Sequence, residues 1–323
     1  MNIVFMGTPD FAVSALEAII EAGHRVTAVV TQPDKPKGRG KELQMTPVKE
    51  CAVAHGIPVF QPVRVKDEEA VGTLRKYNAD IFVVAAFGQI LSEEILNMPK
   101  YGCVNIHASL LPKYRGSAPI QWAIINGETV SGVTIMQMDK GIDTGDMLMK
   151  SEVIIDPGET GDSLHDKLAQ AGARLIVEAL PKIESGEITP VKQNDADSCY
   201  AKMLQKSMSR IDWHQSAETL DRLIRGLISW PGASTVYRGK TLKIWEEQVA
   251  QQEELQRMAA ATGTGIGHIK PGTVVLVEKD AFYVQTGEGI LKILTVQPEG
   301  KKRMAVKDFL LGYQIKEGEM LGV

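Results

Sequence analysis

Residues 3–30 read IVFMGTPDFAVSALEAIIEAGHRVTAVV, and the fold class follows from them. The opening apolar run predicts a strand, and the periodic segment after it predicts a helix that ends at Gly23. Thr8 as N-cap and Pro9 in the first helical position favour a helix start at this point. A second apolar run follows at 26–30. This strand–helix–strand unit predicts a parallel α/β sheet.

The turn after the first strand lacks a dinucleotide-binding fingerprint. Gly7 is a single glycine, GxGxxG is absent, and the second strand ends in Thr31-Gln32 rather than in an acidic residue that could bind ribose. We therefore expect a structural strand-to-helix turn here, and not the nucleotide site of a dehydrogenase.

Composition places the chain among soluble globular proteins. Its residues are 44% apolar and 24% charged. Its length of 323 residues is enough for two domains. There is no run of about 18 apolar residues that would predict a membrane span, and the N-terminus reads as a strand rather than a signal peptide. The three cysteines form neither a CxxC pair nor a zinc-spaced cluster with histidine. We therefore expect free thiols, no metal and a cytoplasmic location.

The order of predicted elements indicates two domains and a linker. Residues 1–189 alternate strands with helices, whereas 190–208 are polar and contain no clear periodicity. Residues 209–323 begin with a helix and continue as five short strands separated by turns, with a Gln/Ala/Gly-rich insert at 251–267. The predicted fold is α/β: a Rossmann-like parallel-sheet domain followed by a small β-barrel domain of the oligonucleotide-binding (OB-like) kind.

Basic charge is concentrated in two places. Residues 1–189 hold 18 Lys and Arg against 24 Asp and Glu, a net charge of −6, whereas 190–323 hold 18 against 16, a net charge of +2. Within the first part, the loop 32–42 carries four basic residues in seven positions, interleaved with two glycines and a proline. Two interpretations stay open: a solvated mobile loop, or a loop that becomes ordered when it binds phosphate.

Polar side chains collect where predicted strands end. The buried run 81–86 is followed by the loop 87–91, and ligands bind at such strand ends in parallel sheets. Asn105 and His107 lie on one face of the next strand because side chains alternate. Asp143 follows another strand in Gly-Ile-Asp-Thr-Gly. The alternatives are that His107 is a hydrogen-bonded core residue and that Asp143 only forms a turn. Together, however, the three residues favour proton handling and oxyanion stabilisation.

The chain resembles the folate-dependent formyltransferase family in Asn105, His107 and Asp143 and in the stretch Ser109-Leu-Leu-Pro-Lys-Tyr-Arg-Gly116. The resemblance runs the whole length of the chain, and in detail the chain is similar to the branch of the family that acts on methionyl-tRNA. The stretches that carry it are Gly7-Thr-Pro-Asp-Phe11, Gly38-Arg-Gly-Lys41, Val133-Thr-Ile-Met-Gln-Met-Asp139, Arg210-Ile-Asp-Trp213 and Gln297-Pro-x-Gly-Lys-Lys-x-Met304.

The resemblance implies transfer of the formyl group of 10-formyltetrahydrofolate to the α-amino group of methionyl-initiator tRNA, for translation initiation. Separately, we expect a monomer and no metal. The resemblance implies the catalytic trio Asn105, His107 and Asp143. The implied folate pocket is formed by Phe87, Gly88, Ile90, Leu91, Ser109, Leu110, Leu111 and Pro112. The resemblance also implies that the basic loop around Arg39 and Lys41 meets the acceptor end of the tRNA and that the barrel domain holds the tRNA further away. The tRNA contacts that we expect are Lys35, Lys37, Arg39, Lys41, Lys206, Lys301, Lys302 and Arg303.

Two alternatives to this interpretation are open. A formyltransferase acting on a small amine, such as glycinamide ribonucleotide or an amino sugar, does not need the basic loop or the additional domain. A non-catalytic RNA-binding protein does not need the intact Asn, His and Asp set.

Overall fold

The structure is a computed structural model that describes residues 1–37, 42–254, 256 and 269–323. Among these residues, none of the helices combines the length and the apolar character that crossing a membrane requires. The chain falls into two compact units. The first comprises Met1–Ile120, Thr129–Ile155 and Ser163–Lys202, and the second comprises Gln121–Glu128, Asp156–Asp162 and Met203–Val323. The expected division at 1–189, 190–208 and 209–323 stays a prediction.

The first unit is built on a seven-stranded sheet. The strands of the whole unit are β1 (Asn2–Gly7), β2 (Arg25–Val30), β3 (Lys35–Lys37), β4 (Glu42–Gln44), β5 (Val59–Phe60), β6 (Ile81–Ala85), β7 (Cys103–His107), β8 (Arg115–Gly116), β9 (Val130–Gln137), β10 (Met147–Ile154) and β11 (Tyr200–Ala201). The sheet order is β10-β9-β7-β6-β1-β2-β5, while β3 pairs with β4 and β8 with β11. All neighbours from β7 to β5 are parallel, and β9 is antiparallel to β7 and β10. The predicted Rossmann-like sheet is confirmed.

The helices from the N-terminus to Ser185 are α1 (Val13–Glu21), α2 (Pro47–Ala54), α3 (Glu68–Lys76), α4 (Glu93–Leu96), α5 (Pro119–Ile125) and α6 (Gly161–Ser185). The expected start of α1 at Thr8 is wrong. A 3₁₀ turn precedes the helix, and the Thr8 hydroxyl donates instead to the carbonyl oxygen of Phe87 at 3.0 Å. The same Thr-Pro pattern does start α2, where Thr46 Oγ1 accepts from Lys49 N at 3.2 Å.

The point at which the strand order reverses lies between β1 and β6. The chain leaves β1 toward β2 and β5, and later returns to the other side of β1 as β6. A Cβ at Gly7 would lie 2.7 Å from Ala12 Cβ and 3.0 Å from the carbonyl oxygen of Ala85, so only glycine fits this close approach. Ligands of open α/β sheets bind at the carboxyl edge beside such a point.

The second unit is an antiparallel sheet of β12 (Ser234–Tyr237), β13 (Lys240–Val249), β14 (Val274–Val277), β15 (Phe282–Gln285), β16 (Ile290–Pro298) and β17 (Met304–Ala305), with the helices α7 (Ala217–Gly226) and α8 (Val306–Gly312). Strands run in the order β12-β13-β16-β15-β14, and β17 pairs with β16. Buried Trp213, Leu220, Phe282 and Phe309 belong to one apolar core. The predicted small barrel is confirmed; α8 was not predicted, and most of the insert 251–267 lies outside the described residues.

Candidate active site

The structure brings Asn105, His107 and Asp143 together at the carboxyl edge of the first unit's sheet. Asn105 and His107 come from the end of β7, and Asp143 comes from the loop between β9 and β10. The amide of Asn105 donates to Asp143 Oδ1 at 3.5 Å, and His107 Nδ1 lies 3.7 Å from Asp143 Oδ2. The side chains of His107 and Asp143 are only 6% and 16% exposed, which strengthens their electrostatic interaction.

One hydrogen bond fixes which nitrogen of His107 faces the site. Nε2 lies 2.9 Å from the carbonyl oxygen of Tyr114, and a carbonyl can only accept, so Nε2 carries the proton. In the neutral ring the lone pair is therefore on Nδ1, the atom that faces Asp143. The ring is poised to take up a proton at Nδ1, and the carboxylate stabilises the imidazolium that results.

Asp143 has an unusual backbone conformation. Its φ is +55°, in the left-handed region, where a residue other than glycine costs about 1–3 kcal/mol and persists only if its surroundings hold it. Asp and Asn are the side chains that tolerate this region best. The carboxylate accepts from Gly116 N at 2.8 Å, which directs Oδ2 toward the end of the strand that carries His107.

Gln193 also contacts this loop, and sequence reasoning missed it. Its side-chain amide donates to the carbonyl oxygens of Asp143 at 2.9 Å and Gly145 at 2.7 Å. The residue lies in the stretch that was expected to be a linker. A single glutamine in a polar run carries no signal by itself, because its role depends on contacts about 50 positions away along the chain.

The predicted folate residues divide into two groups. Four of them are buried and pack their side chains within the protein: Phe87, Leu91, Ser109 and Leu111, with 2%, 6%, 1% and 0% of their surface exposed. Ile90 is 78% exposed, Gly88 is exposed, and Leu110 and Pro112 are partly exposed. The folate assignment stays a prediction, with these four and the backbone of the buried residues offering the contact surface.

Two side chains hold the loop that follows β6. Thr8 Oγ1 donates to the carbonyl oxygen of Phe87, and the amide of Gln32 donates to the carbonyl oxygens of Phe87 and Gly88 at 3.3 and 3.0 Å. Ala86 directly precedes them with φ +46°. Hydrogen bonds from the ends of β1 and β2 thus fix the backbone of the predicted folate loop.

The predicted tRNA residues are spread over both units. Lys35 is exposed on β3, Lys206 is exposed in a 3₁₀ turn, and Lys301, Lys302 and Arg303 are exposed after β16. The Arg303 guanidinium lies 5.0 Å from the centre of the Trp245 ring. Arg39 and Lys41 lie outside the described residues, as does the side chain of Lys37. These assignments stay predictions.

Cys103, two positions before Asn105 in the chain, is a fully buried thiol. Cys51, Cys103 and Cys199 are all free. Burial raises the pKa of the Cys103 thiol to about 12, and its Sγ donates to the carbonyl oxygen of Ile95. Within the described ranges no group of three or more His, Cys, Asp or Glu could hold a metal ion.

Comparison with known families defines the class of the protein. The family model described as formyl transferase matches residues 1–180, and the model described as formyl transferase, C-terminal domain, matches residues 203–314. The chain therefore belongs to the formyl transferase family. Two solved structures share the fold: the sugar 3N-formyl transferase WlaRD, with TM-score 0.65 and 20% identity over 94% of this chain and 99% of that one, and HypX from Aquifex aeolicus. HypX has TM-score 0.64 and 19% identity; the match covers 98% of this chain but only about half, 48%, of HypX.

The methionyl-tRNA formyltransferase of Lachnospira eligens is far closer in sequence. It is 56% identical over 323 residues, covering 100% of both chains. The chain belongs to the methionyl-tRNA formyltransferase family.

Proposed function

We propose that this protein transfers the formyl group of 10-formyltetrahydrofolate to the α-amino group of methionyl-initiator tRNA. The observation that carries the proposal is the juxtaposition of Asn105, His107 and Asp143 in a chain that is 56% identical, over its full length, to a methionyl-tRNA formyltransferase. WlaRD, which shares the fold, was crystallised in the presence of 5-N-formyl-tetrahydrofolate, in keeping with a folate-derived donor.

The reaction is an acyl transfer between two nitrogens, and the amine attacks the formyl carbon directly. A free α-amino group has a pKa of about 7.7–8.0, and esterification of the carboxyl group lowers that value, so much of the substrate is neutral near pH 7. No enzyme nucleophile is needed. The protein must position the two substrates, stabilise the oxyanion of the tetrahedral intermediate and move one proton.

The three side chains divide these tasks. The amide of Asn105 donates to the oxyanion, a contribution of about 2.7–4 kcal/mol for such a donor. His107 Nδ1 takes the proton from the attacking nitrogen and returns it to the leaving nitrogen of the folate, a step worth roughly 10²–10⁴-fold. Asp143, 3.7 Å from Nδ1, stabilises the imidazolium between the two transfers.

The basic residues provide the contacts to the nucleic acid in this proposal. Exposed Lys and Arg side chains, such as Lys35 on β3 and Lys302 after β16, neutralise phosphates of the acceptor arm. A protein that acts on a free amino sugar or on glycinamide ribonucleotide has no use for such a surface.

A comparison of acceptor substrates tests the proposal. The protein is incubated with the folate donor and, separately, with methionyl-initiator tRNA, methionyl-elongator tRNA, glycinamide ribonucleotide and an amino sugar nucleotide. We expect formyl transfer to the initiator tRNA, weaker transfer to the elongator and none to the small amines. Transfer to a small amine with none to tRNA would overturn the proposal.

A further inference from the structure

Two neighbours of Arg115 in the chain each hold a member of the site. The carbonyl oxygen of Tyr114 accepts from His107 Nε2 at 2.9 Å, and the backbone N–H of Gly116 donates to Asp143 Oδ2 at 2.8 Å. Arg115 lies between them and is only 3% exposed. A buried guanidinium needs partners for its donors, and the partners of Arg115 identify a further functional residue.

Gln193 is the partner that links Arg115 to the site. Arg115 Nε donates to Gln193 Oε1 at 2.9 Å, and Arg115 Nη2 donates to Asp195 Oδ1 at 2.9 Å. Arginine has donors only, so the amide oxygen of Gln193 must face it. The amide nitrogen is then directed at the loop, where it donates to the carbonyl oxygens of Asp143 and Gly145. A flipped amide would set nitrogen against guanidinium and oxygen against two carbonyls.

The stretch that carries Gln193 is itself held at both ends. Before it, Val191 and Met147 exchange backbone hydrogen bonds of 2.8 and 2.9 Å; after it, β11 pairs with β8. Gly116, in β8, has φ +108°, and a Cβ there would lie 2.8 Å from the carbonyl oxygen of Ala201. Gln193 is therefore presented to the loop from a fixed backbone.

We propose that Gln193, oriented by Arg115, is a positioning residue that sets the distance between the Asp143 carboxylate and His107 Nδ1. Asp143 has a left-handed backbone that needs support from its surroundings, and Gln193 supplies two hydrogen bonds to this loop, one on each side of Thr144. Gln193 touches no reacting atom in this scheme; it acts through Asp143. The inference rests on the proposed function.

The variant Gln193→Met tests the proposal because Met has a similar volume and neither donor nor strong acceptor. A displacement of about 1 Å at a catalytic group can cost about 10²-fold in rate, so we expect kcat to fall about 10–100-fold while KM for the folate donor and for tRNA stays within about threefold. Gln193→Glu keeps an acceptor for Arg115 but loses both donors to the loop, and it should show the same fall. The matched control is Gln170→Met, a change at an exposed glutamine on α6 whose kcat should stay at the wild-type value.

A double-mutant cycle separates positioning from general stability. If Gln193 acts through Asp143, then Gln193→Met should reduce kcat less than threefold when Asp143→Asn is already present. Equal fold losses in both backgrounds, or wild-type kcat in either single Gln193 variant, would overturn the inference. Failure of the wild-type protein to formylate methionyl-tRNA would instead overturn the proposed function, so the two failures are distinguishable.

Discussion

Replacing Asp143 by Asn removes one charge and also Oδ1, the acceptor of the weak 3.5 Å hydrogen bond from the Asn105 amide. Asn tolerates the left-handed φ of +55° and still offers an oxygen to Gly116 N, so the fold and the unfolding midpoint should be unchanged. The larger loss is the attraction between the carboxylate and a proton on His107 Nδ1, 3.7 Å away.

Coulomb's law brackets the size of that loss. At 3.7 Å, two unit charges interact by about 1.1 kcal/mol at the dielectric constant of water and by about 4.5 kcal/mol at an effective value of about 20. With about 1.36 kcal/mol for each factor of ten, these limits correspond to about sixfold and about 2000-fold in rate. The side chains of His107 and Asp143 are mostly buried but keep some contact with solvent. We therefore expect kcat to fall by an amount between these limits, about 10²-fold.

The assay is formyl transfer to methionyl-initiator tRNA with both substrates saturating, followed by titration of each substrate. Asp143→Asn should lower kcat and leave both KM values near those of the wild type, because the charge acts on the proton and not on substrate binding. Asp166→Asn, a change at an exposed residue on α6, is the control and should have no effect. A kcat for Asp143→Asn within threefold of the wild type would refute the assigned role.

Three further predictions concern other parts of the chain. Asn105→Ala should lower kcat by about 10²–10³-fold, the usual loss for one oxyanion donor, measured under single-turnover conditions; a loss only in KM would contradict that role. Burial raises the pKa of Glu247 from its ordinary 4.5 to about 8, so the free energy of unfolding of the wild type should decrease as pH rises between these values, by up to about 1.4 kcal/mol per pH unit. Urea unfolding followed by circular dichroism measures this decrease, which should be absent in Glu247→Gln. Lys302→Ala should weaken tRNA binding and reduce the salt slope of log Kd by about 1, and an unchanged slope would remove Lys302 from the interface.

The parts of the site that local patterns fix were predictable from sequence. Alternation along β7 places Asn105 and His107 on one face, and Asp143 lies in the turn that follows β9. The Asp143 prediction needed only a turn at a strand end. These two local rules were enough to indicate the three residues that the structure brings together.

Long-range contacts were not predictable in this way. The pattern at Thr8 matches a helix start, yet its hydroxyl bonds to Phe87, 79 positions away. Likewise, Gln193 and Asp195 contact Arg115 across 78 and 80 positions, so no local period marks them. Edge strand β10 runs from Met147 to Ile154, and pairing with β9, not intrinsic preference, sets its length.

The fate of a labelled formyl group tests the proposed chemistry most directly. With enzyme in excess and a rapid quench, wild-type protein should move the label from 10-formyltetrahydrofolate to the α-amino group of methionyl-initiator tRNA. His107→Gln, whose side-chain amide can still donate to the carbonyl oxygen of Tyr114, should do so at least about 10²-fold more slowly, the low end of what a positioned general base contributes. Labelled tRNA formed at equal rates by both proteins, or by neither, would contradict direct transfer assisted by His107.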